Sequence, residues 1–463
     1  MAGIAGIECD GKQKQVTEML QKISHRGEAG SKVIESNGVT LGAVWPEAHA
    51  APTPPTLQQQ AAWDGSRPPL PDPATLEQEQ EPFALTAALP DGLFMARDPL
   101  GICPLYYGRT DEGVLCFASE VKALLDVAQT VREVPPGTWY DGEQGFTTFA
   151  GVEQRPPSRQ EPDEVAPGLR LRLERAVSQR VDDREMGCWL SGGLDSSAMA
   201  ALARPHVDRL HTFSGGLDGA PDLEYARQVV DFLDTEHHEI IVTLDDLLSA
   251  LPEVIYHLES FDALLVRSSI TNYLVARRAA DCVGAVFSGE GADELFGGYA
   301  YLKELDPAQI HDELVDITHR LHNTALQRVD RSASAHGLVA HVAFLDLEVV
   351  RFAMSIPSHL KLRRNGKPVE KWILRCALDD TLPDGVVWRG KSKFWQGAGV
   401  GDLLAQYAEQ QITDADFKRE RVLGNGWTLN SKEELMYYRL FREQFGDLED
   451  LSWMGRTKGA PRN

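Results

Sequence analysis

Over the first 150 residues the apolar positions come in short runs broken by Gly and Pro. Short apolar runs bounded by turn residues predict strands. "LTAALPDGLFMARDPLGICPLYYG" and the following "VLCFASE" read as consecutive strands, with tight turns at Asp91-Gly92 and Asp111–Gly113. Two stretches interrupt this rhythm. Residues 51–82, "APTPPTLQQQAAWDGSRPPLPDPATLEQEQEP", are rich in Pro and Gln and poor in aliphatics, which predicts a loop without a strong core element. Residues 153–167, "EQRPPSRQEPDEVAP", are rich in Pro and charge and predict a linker.

Beyond the linker the period changes. "LRLRLERAVSQRV" places Leu169, Leu173 and Val177 on one helical face. The strand "GCWL" then leads through a glycine turn into the helical "SSAMAALA". "RLHTFSGG" is the next strand, "LEYARQVVDFL" the next helix and "HHEIIV" another strand; the helix "LVARRAADC" then feeds the strand "GAVFSGEG". Alternating strands and helices make a parallel sheet with helical cover. From about Leu302 onward the periodicity is mostly helical. The organisation expected is therefore an α/β protein with a first domain over 1–152, a linker over 153–167 and a second domain over 168–463.

Composition narrows the partners. At ~100–200 residues per domain, 463 residues make two or three domains, and 43% hydrophobic content is ordinary for a globular chain. A net charge of −23 with scattered Lys and Arg disfavours nucleic acid and anionic membranes as main partners. The basic end "GRTKGAPRN" reads as a flexible tail. Cys9, Cys103, Cys116, Cys188, Cys282 and Cys376 are far apart with no C-x-x-C pair, which argues against a zinc site and a disulfide framework. No apolar run reaches the ~18 residues of a spanning helix, and no signal peptide is legible, so a cytoplasmic protein is expected.

The chemistry concentrates at two strand ends. "WLSGGLDSS" turns from a strand into a helix, where free backbone N–H groups and the helix dipole favour an anion. Leu190, Ser191, Gly192, Gly193, Ser196 and Ser197 form the expected phosphate or pyrophosphate cradle. Asp195 would repel such a ligand unless a cation stands between them, which points to Mg²⁺. "FSGEGADELFGGY" supplies Glu290, Asp293 and Glu294 at another strand end, and Asp293 is placed to share the metal with Asp195. A bland reading, two glycine turns, competes with this. No GK[ST] follows, so this is not a Walker loop, and cleavage between the alpha and beta phosphates of ATP is favoured. His211, His237 and His238 read as packed or capped strand residues.

These motifs resemble the asparagine synthetase family. "SGGLDSS" resembles its pyrophosphate loop and "SGEGADELFGGY" its second ATP-site segment. "HTFSGG", "DLEYARQVVDFLDTEHHE", "IYHLESFD" with Arg267, "AHGLVAHVAFLD", "EKWILRCAL" and "LPDGVVWRGKSKF" follow in the family's order. The resemblance implies a PP-loop ATP-pyrophosphatase domain, ATP and Mg²⁺ as cofactors, and a carboxylic acid condensed with ammonia or another amine through an acyl-adenylate. It adds Ser214, Gly216, Ser288 and Gly289 to the ATP site. It makes Lys391 the cation at the alpha phosphate, Glu290 the base for the amine and Arg267 a clamp for the substrate carboxylate; a homodimer is compatible with it.

"MAGIAGI", "HRGEAG", "FMARDPLGICPLYY" and "ASEVKALL" resemble the family's amidohydrolase domain, an α+β sandwich. Glutamine-using members carry Cys at position 2, where this chain has Ala2, and a methyl group cannot attack an amide. The family's NGE-type glutamine-binding segment is also missing, with the 51–82 stretch in its place. The expectation is a degenerate domain without glutaminase activity. Val339, His341 and Ala343 stand where Glu, Arg and Pro are usual, and Trp395 and Gln396 replace smaller and acidic residues. These departures keep a second reading open, a ligase joining a different acid to an amine other than ammonia, in the manner of beta-lactam synthetases, although those carry Tyr at the position of Glu290. A third reading is a nucleotide-binding regulator without activity.

Overall fold

A computed structural model describes residues 2–457 apart from 47–56, 59, 67–68, 143–144, 154, 156–160, 182, 364–367 and 391–396. Among the described residues the strands form three sheets. Two are antiparallel and come from the first 150 residues. One orders Thr130–Glu133, Tyr106–Arg109, Leu115–Ala118, Gly3–Ile7, Val39–Trp45 and Gly30–Ser36. The other orders Gly145–Thr148, Thr138–Asp141, Gly92–Arg97, Phe83–Leu89, Ala61–Gly65 and Leu57–Gln58. Ile4, Leu41 and Phe117 of the first sheet share a core with Ala84, Leu93 and Met95 of the second. Both expected turns are present: Leu89 pairs Gly92 across one hairpin, and Thr110 N–H donates to Val114 O at 2.9 Å across the other.

The 51–82 stretch is not merely a loop. Its Ala61–Gly65 segment pairs along Phe83–Leu89, and Trp63 and Leu76 fill a second small core with Phe83, Leu85 and Phe94. The aliphatic-poor composition misled because one buried tryptophan supplies the area that several aliphatics would. The linker is shorter than expected for a similar reason. The helix Pro162–Ser178 begins inside it, with Pro162 in the first turn, where its missing N–H costs nothing, followed by Asp163 and Glu164 on the favourable end of the dipole. Leu169, Leu173 and Val177 are buried as the period predicts.

The third sheet is parallel and ordered Glu236–Ile241, Arg209–Gly216, Glu185–Trp189, Ala285–Phe287, Val339–His341. The last of these is an edge strand inside a region that the sequence pattern gave to helices. Chain order reverses between Glu185–Trp189 and Ala285–Phe287. That reversal opens a crevice at the carboxyl ends of the two strands. Helices cover the sheet, and Lys432–Phe445 packs onto Leu244–Leu258. No helix among the described residues is long and apolar enough to cross a membrane.

Candidate active site

Both singled-out motifs sit at the switch point. Leu190 to Gly193 leave the strand Glu185–Trp189, and the helix Leu194–Ala203 starts immediately afterwards. Gly192 has φ +65°, and a Cβ there would lie 2.5 Å from Ala226 N, so only glycine fits. Serines close the turn. Ser191 N–H donates to Ser196 Oγ at 3.1 Å, Ser196 Oγ donates to Gly193 O at 3.2 Å, and Gly193 N–H points to Ser191 Oγ at 3.4 Å. Ser197 Oγ is buried without a hydrogen-bond partner among the described residues. Ser214, buried on the neighbouring strand, donates to Leu190 O at 2.5 Å and fixes the loop's entry.

The second motif lies directly against this loop. A Cβ on Gly289 would sit 2.8 Å from Ser196 N and 3.0 Å from Asp195 Cβ. Ser288 is buried, its N–H donating to His341 O at 2.9 Å. Asp195 and Asp293 converge as expected, and a residue outside the expected set joins them. Lys371 Nζ lies 2.5 Å from Asp195 Oδ2 and 2.5 Å from Asp293 Oδ1. Lys371 is 1% exposed and its φ is +54°. Its stem passes so close to Gly298 that a Cβ there would meet Lys371 Cε at 2.3 Å. The signal in the sequence was the segment "EKWILRCAL", which contains Lys371 but gives no hint of its reach.

The two converging carboxylates are the hard oxygen donors a divalent cation takes, with the Lys371 ammonium between them in this structure. Glu290 is held by an ion pair with Arg328, another residue outside the expected set. Beside them, burial, then Asp293 and Glu290, push the Glu294 carboxyl up to about 7, and Tyr299 OH donates to its Oε1.

Arg267 is bound to Glu433, with Nε 2.6 and 2.8 Å from the two oxygens, and Tyr437 OH donates to the same carboxylate at 2.7 Å. Glu433 is 1% exposed, so in this structure Arg267 forms an internal ion pair with a buried carboxylate. Lys391, with Lys393, Trp395 and Gln396, lies outside the described residues. Its flanks are placed. Arg389 donates to Gly192 O at 3.1 Å and to Asp222 Oδ1 at 2.6 Å, and stacks 3.9 Å over the Tyr225 ring. Ala398 O accepts from Leu217 N–H at 3.0 Å, next to Gly216. Arg389 and Ala398 thus both lie beside the pyrophosphate loop and its neighbouring strand end.

Ala2 is buried in the first sheet-forming region. Its N–H donates to Asp64 Oδ1 at 2.7 Å, and its carbonyl accepts from Arg26 Nε at 2.8 Å. Asp64 comes from the 51–82 stretch, and Arg26 NH2 lies 3.1 Å from it. The position of the absent nucleophile is therefore tied into a buried ion-pair network.

A parallel sheet whose switch point carries a serine–glycine anion loop and two converging carboxylates defines a PP-loop ATP-pyrophosphatase fold. A family model described as asparagine synthase matches residues 168–311 and 306–458, and one described as glutamine amidotransferase domain matches residues 82–141. The chain is 37% identical to asparagine synthetase B [glutamine-hydrolyzing] of Escherichia coli (strain K12), covering 78% of this chain and 69% of that protein. It is also 37% identical to asparagine synthetase [glutamine-hydrolyzing] 2 of Arabidopsis thaliana, covering 78% of this chain and 66% of that one. The chain belongs to the asparagine synthase family. It spans about two thirds of the length of these relatives. Among solved structures, the NH3-dependent NAD synthetase of Campylobacter jejuni aligns over 35% of this chain and 76% of that one, at 16% identity and a TM-score of 0.23, too weak a likeness to carry an argument.

Proposed function

We propose that this protein is an ATP-dependent amide ligase that activates a carboxylic acid of the aspartate type and transfers its acyl group to ammonia, with no glutaminase activity of its own. The observation that carries this reading is the meeting of Asp195 and Asp293 at Lys371, beside the serine–glycine loop. Asp195 and Asp293 would hold Mg²⁺, which supplies charge neutralisation at the phosphates. The loop N–H groups and Ser197 Oγ bind the departing pyrophosphate. Lys371 holds the two carboxylates together and would stand beside the ion as a second buried positive charge, giving up the position between their oxygens. A carboxylate oxygen of the acid attacks the alpha phosphorus, and the bond from that phosphorus to pyrophosphate breaks. The amine nitrogen then attacks the acyl carbon, the carbon–oxygen bond to AMP breaks, and Glu290, oriented by Arg328, takes the amine proton. Lys391 is assigned the charge on the alpha phosphate, with Arg389 anchoring its segment.

The ammonia dependence rests on Ala2, which offers no nucleophile, and on Asp64, which is engaged with Arg26 and the Ala2 amide. The test is pyrophosphate and AMP release with ATP, Mg²⁺ and aspartate, supplied with ammonium, glutamine or no nitrogen source, with the product identified by mass. Ammonium alone should give AMP and asparagine in equal amounts, and Lys371→Met should lose this activity at least a hundredfold. Efficient use of glutamine would refute the missing glutaminase. No turnover of aspartate with ammonium would move the acid or the amine to another identity.

A further inference from the structure

We propose that His211, His238, Cys282 and Glu236 form a binding site for one zinc-class divalent ion at the amino end of the parallel sheet. One ring nitrogen of each histidine and Cys282 Sγ lie within 4.8 Å of one another. His211 Nδ1 and His238 Nε2 are 3.2 Å apart. Nitrogens at ~2.0–2.1 Å from a tetrahedral zinc stand about 3.3 Å from each other, so the two rings are already spaced as one edge of such a site. Glu236 Oε1 faces the same two atoms, at 3.8 Å from His211 Nδ1 and 4.0 Å from His238 Nε2. Two imidazoles, a thiolate and a carboxylate are a borderline donor set that suits zinc over magnesium or calcium. The two anionic ligands also balance the ion's charge.

The surroundings support the assignment. His211 is 4% exposed and its Nε2 has no hydrogen-bond partner among the described residues, while Glu185 Oε2 stands 3.8 Å away. A carboxylate behind the outer nitrogen is the usual support of a metal-bound histidine. The rings of His211 and His238 are nearly parallel at 5.5 Å, with Phe213 stacked at 4.8 Å from His238, so packing restricts their rotation.

Arg278 NH2 lies 3.4 Å from His238 Nδ1; when it donates there, the ring proton is on Nε2 and points at His211. Binding moves that proton to Nδ1 and sends the Cys282 thiol proton to solvent. Arg278, half exposed and also paired with Asp281 at 3.4 Å, withdraws. The site would fasten two neighbouring strands to the turn after the helix Ala263–Ala280. It lies about 16 Å from Gly216 along its own strand, at ~3.3 Å per residue, and is separate from the ATP crevice. Only Glu236 and His238 are close in sequence, two apart on one strand, and His211 and Cys282 reach the site from other elements, so no ligand spacing announces it.

The experiment uses the full chain, stripped with a chelator and titrated with Co²⁺ and then with Zn²⁺ against a chromogenic competitor. One equivalent of Co²⁺ should give tetrahedral ligand-field bands and a thiolate-to-cobalt charge-transfer band, both displaced by Zn²⁺ and neither by ATP with Mg²⁺. Cys282→Ala should abolish the charge-transfer band and weaken Zn²⁺ binding at least tenfold, and His238→Asn should also weaken it at least tenfold. Zn²⁺ should raise the Tm of the parent and leave that of Cys282→Ala unchanged. Absence of the charge-transfer band in the parent would overturn the proposal whatever the variants do. So would equal Zn²⁺ affinity in the parent and Cys282→Ala, which would mean binding by unrelated surface histidines.

Discussion

At the scale of single residues, the switch-point acids divide into those facing the crevice and one that is buried. Glu294 is 2% exposed and holds its proton up to about pH 7, chiefly through burial and then through Asp293 and Glu290. In the unfolded chain the same group titrates near its ordinary 4.5. The folded state therefore binds the extra proton between these two values. That stability is fully present below pH 4.5 and is lost as the pH rises to about 7. Glu294→Gln keeps an acceptor for Tyr299 OH and removes the charge. It should flatten the dependence of Tm on pH between 4.5 and 7, and at pH 8 stabilise the protein by on the order of 1–3 kcal/mol relative to the parent. Thermal melts at pH 5 and pH 8 check this, and an unchanged pH slope would show that Glu294 ionises normally. The convergence of Asp195 and Asp293 was legible in the sequence, because each acid follows a glycine turn at a strand end. Lys371 was not, since it lies 176 residues from Asp195 and a lone lysine carries no pattern.

Elements bring a second division, between what touches substrate and what holds helices together. Arg267 on Ala263–Ala280 and Glu433 on Lys432–Phe445 join two helices across a buried carboxylate. Arg267→Met leaves that carboxylate without its cation and should cost roughly 3–5 kcal/mol. The double change Arg267→Met with Glu433→Leu removes both charges and should recover most of the loss. Activity should recover with stability. A stable double variant whose KM for the acid stays raised would return Arg267 to the substrate. Strand legibility also followed physical causes. The central strands declared themselves through apolar runs ending in glycine turns. Ala61–Gly65 was hidden by its Pro- and Gln-rich flanks, and Val339–His341 is too short for any period to register. Helix starts were blurred because the proline that suggested a linker sits at the first turn of Pro162–Ser178.

For the whole molecule, the two sequence-defined regions share their interior. One apolar cluster joins Val16, Leu20 and Cys116 to Leu251, Ile255, Leu435 and Phe441. A buried ionic network runs through the same boundary. Arg26, fully buried, donates to Asp330 through both terminal nitrogens at 2.9 Å and to Glu120 at 2.9 Å, while Arg331 lies 3.0 Å from Glu120 and 3.1 Å from Glu259. Lys122 N–H donates to Glu259 at 2.6 Å, closing the circuit between the regions. Such a boundary gives the first region a structural role that needs no nucleophile at position 2: it completes the floor on which Asp330, Arg331 and their helix Ala325–Ser334 rest. That helix also carries Arg328, the partner of Glu290, so the network reaches the crevice through one rigid element. The protein should accordingly unfold as one cooperative unit, with a single calorimetric transition. Arg26→Met leaves Asp64 without its cation and Asp330 and Glu120 with one fewer, and should lower that one transition by the equivalent of about 3–5 kcal/mol. It should reduce turnover as well, though Arg26 touches no substrate, because Glu290 is positioned through the same helix. If calorimetry instead resolves two transitions and Arg26→Met moves only one of them, the regions fold independently and the network is decoration on a conventional domain interface.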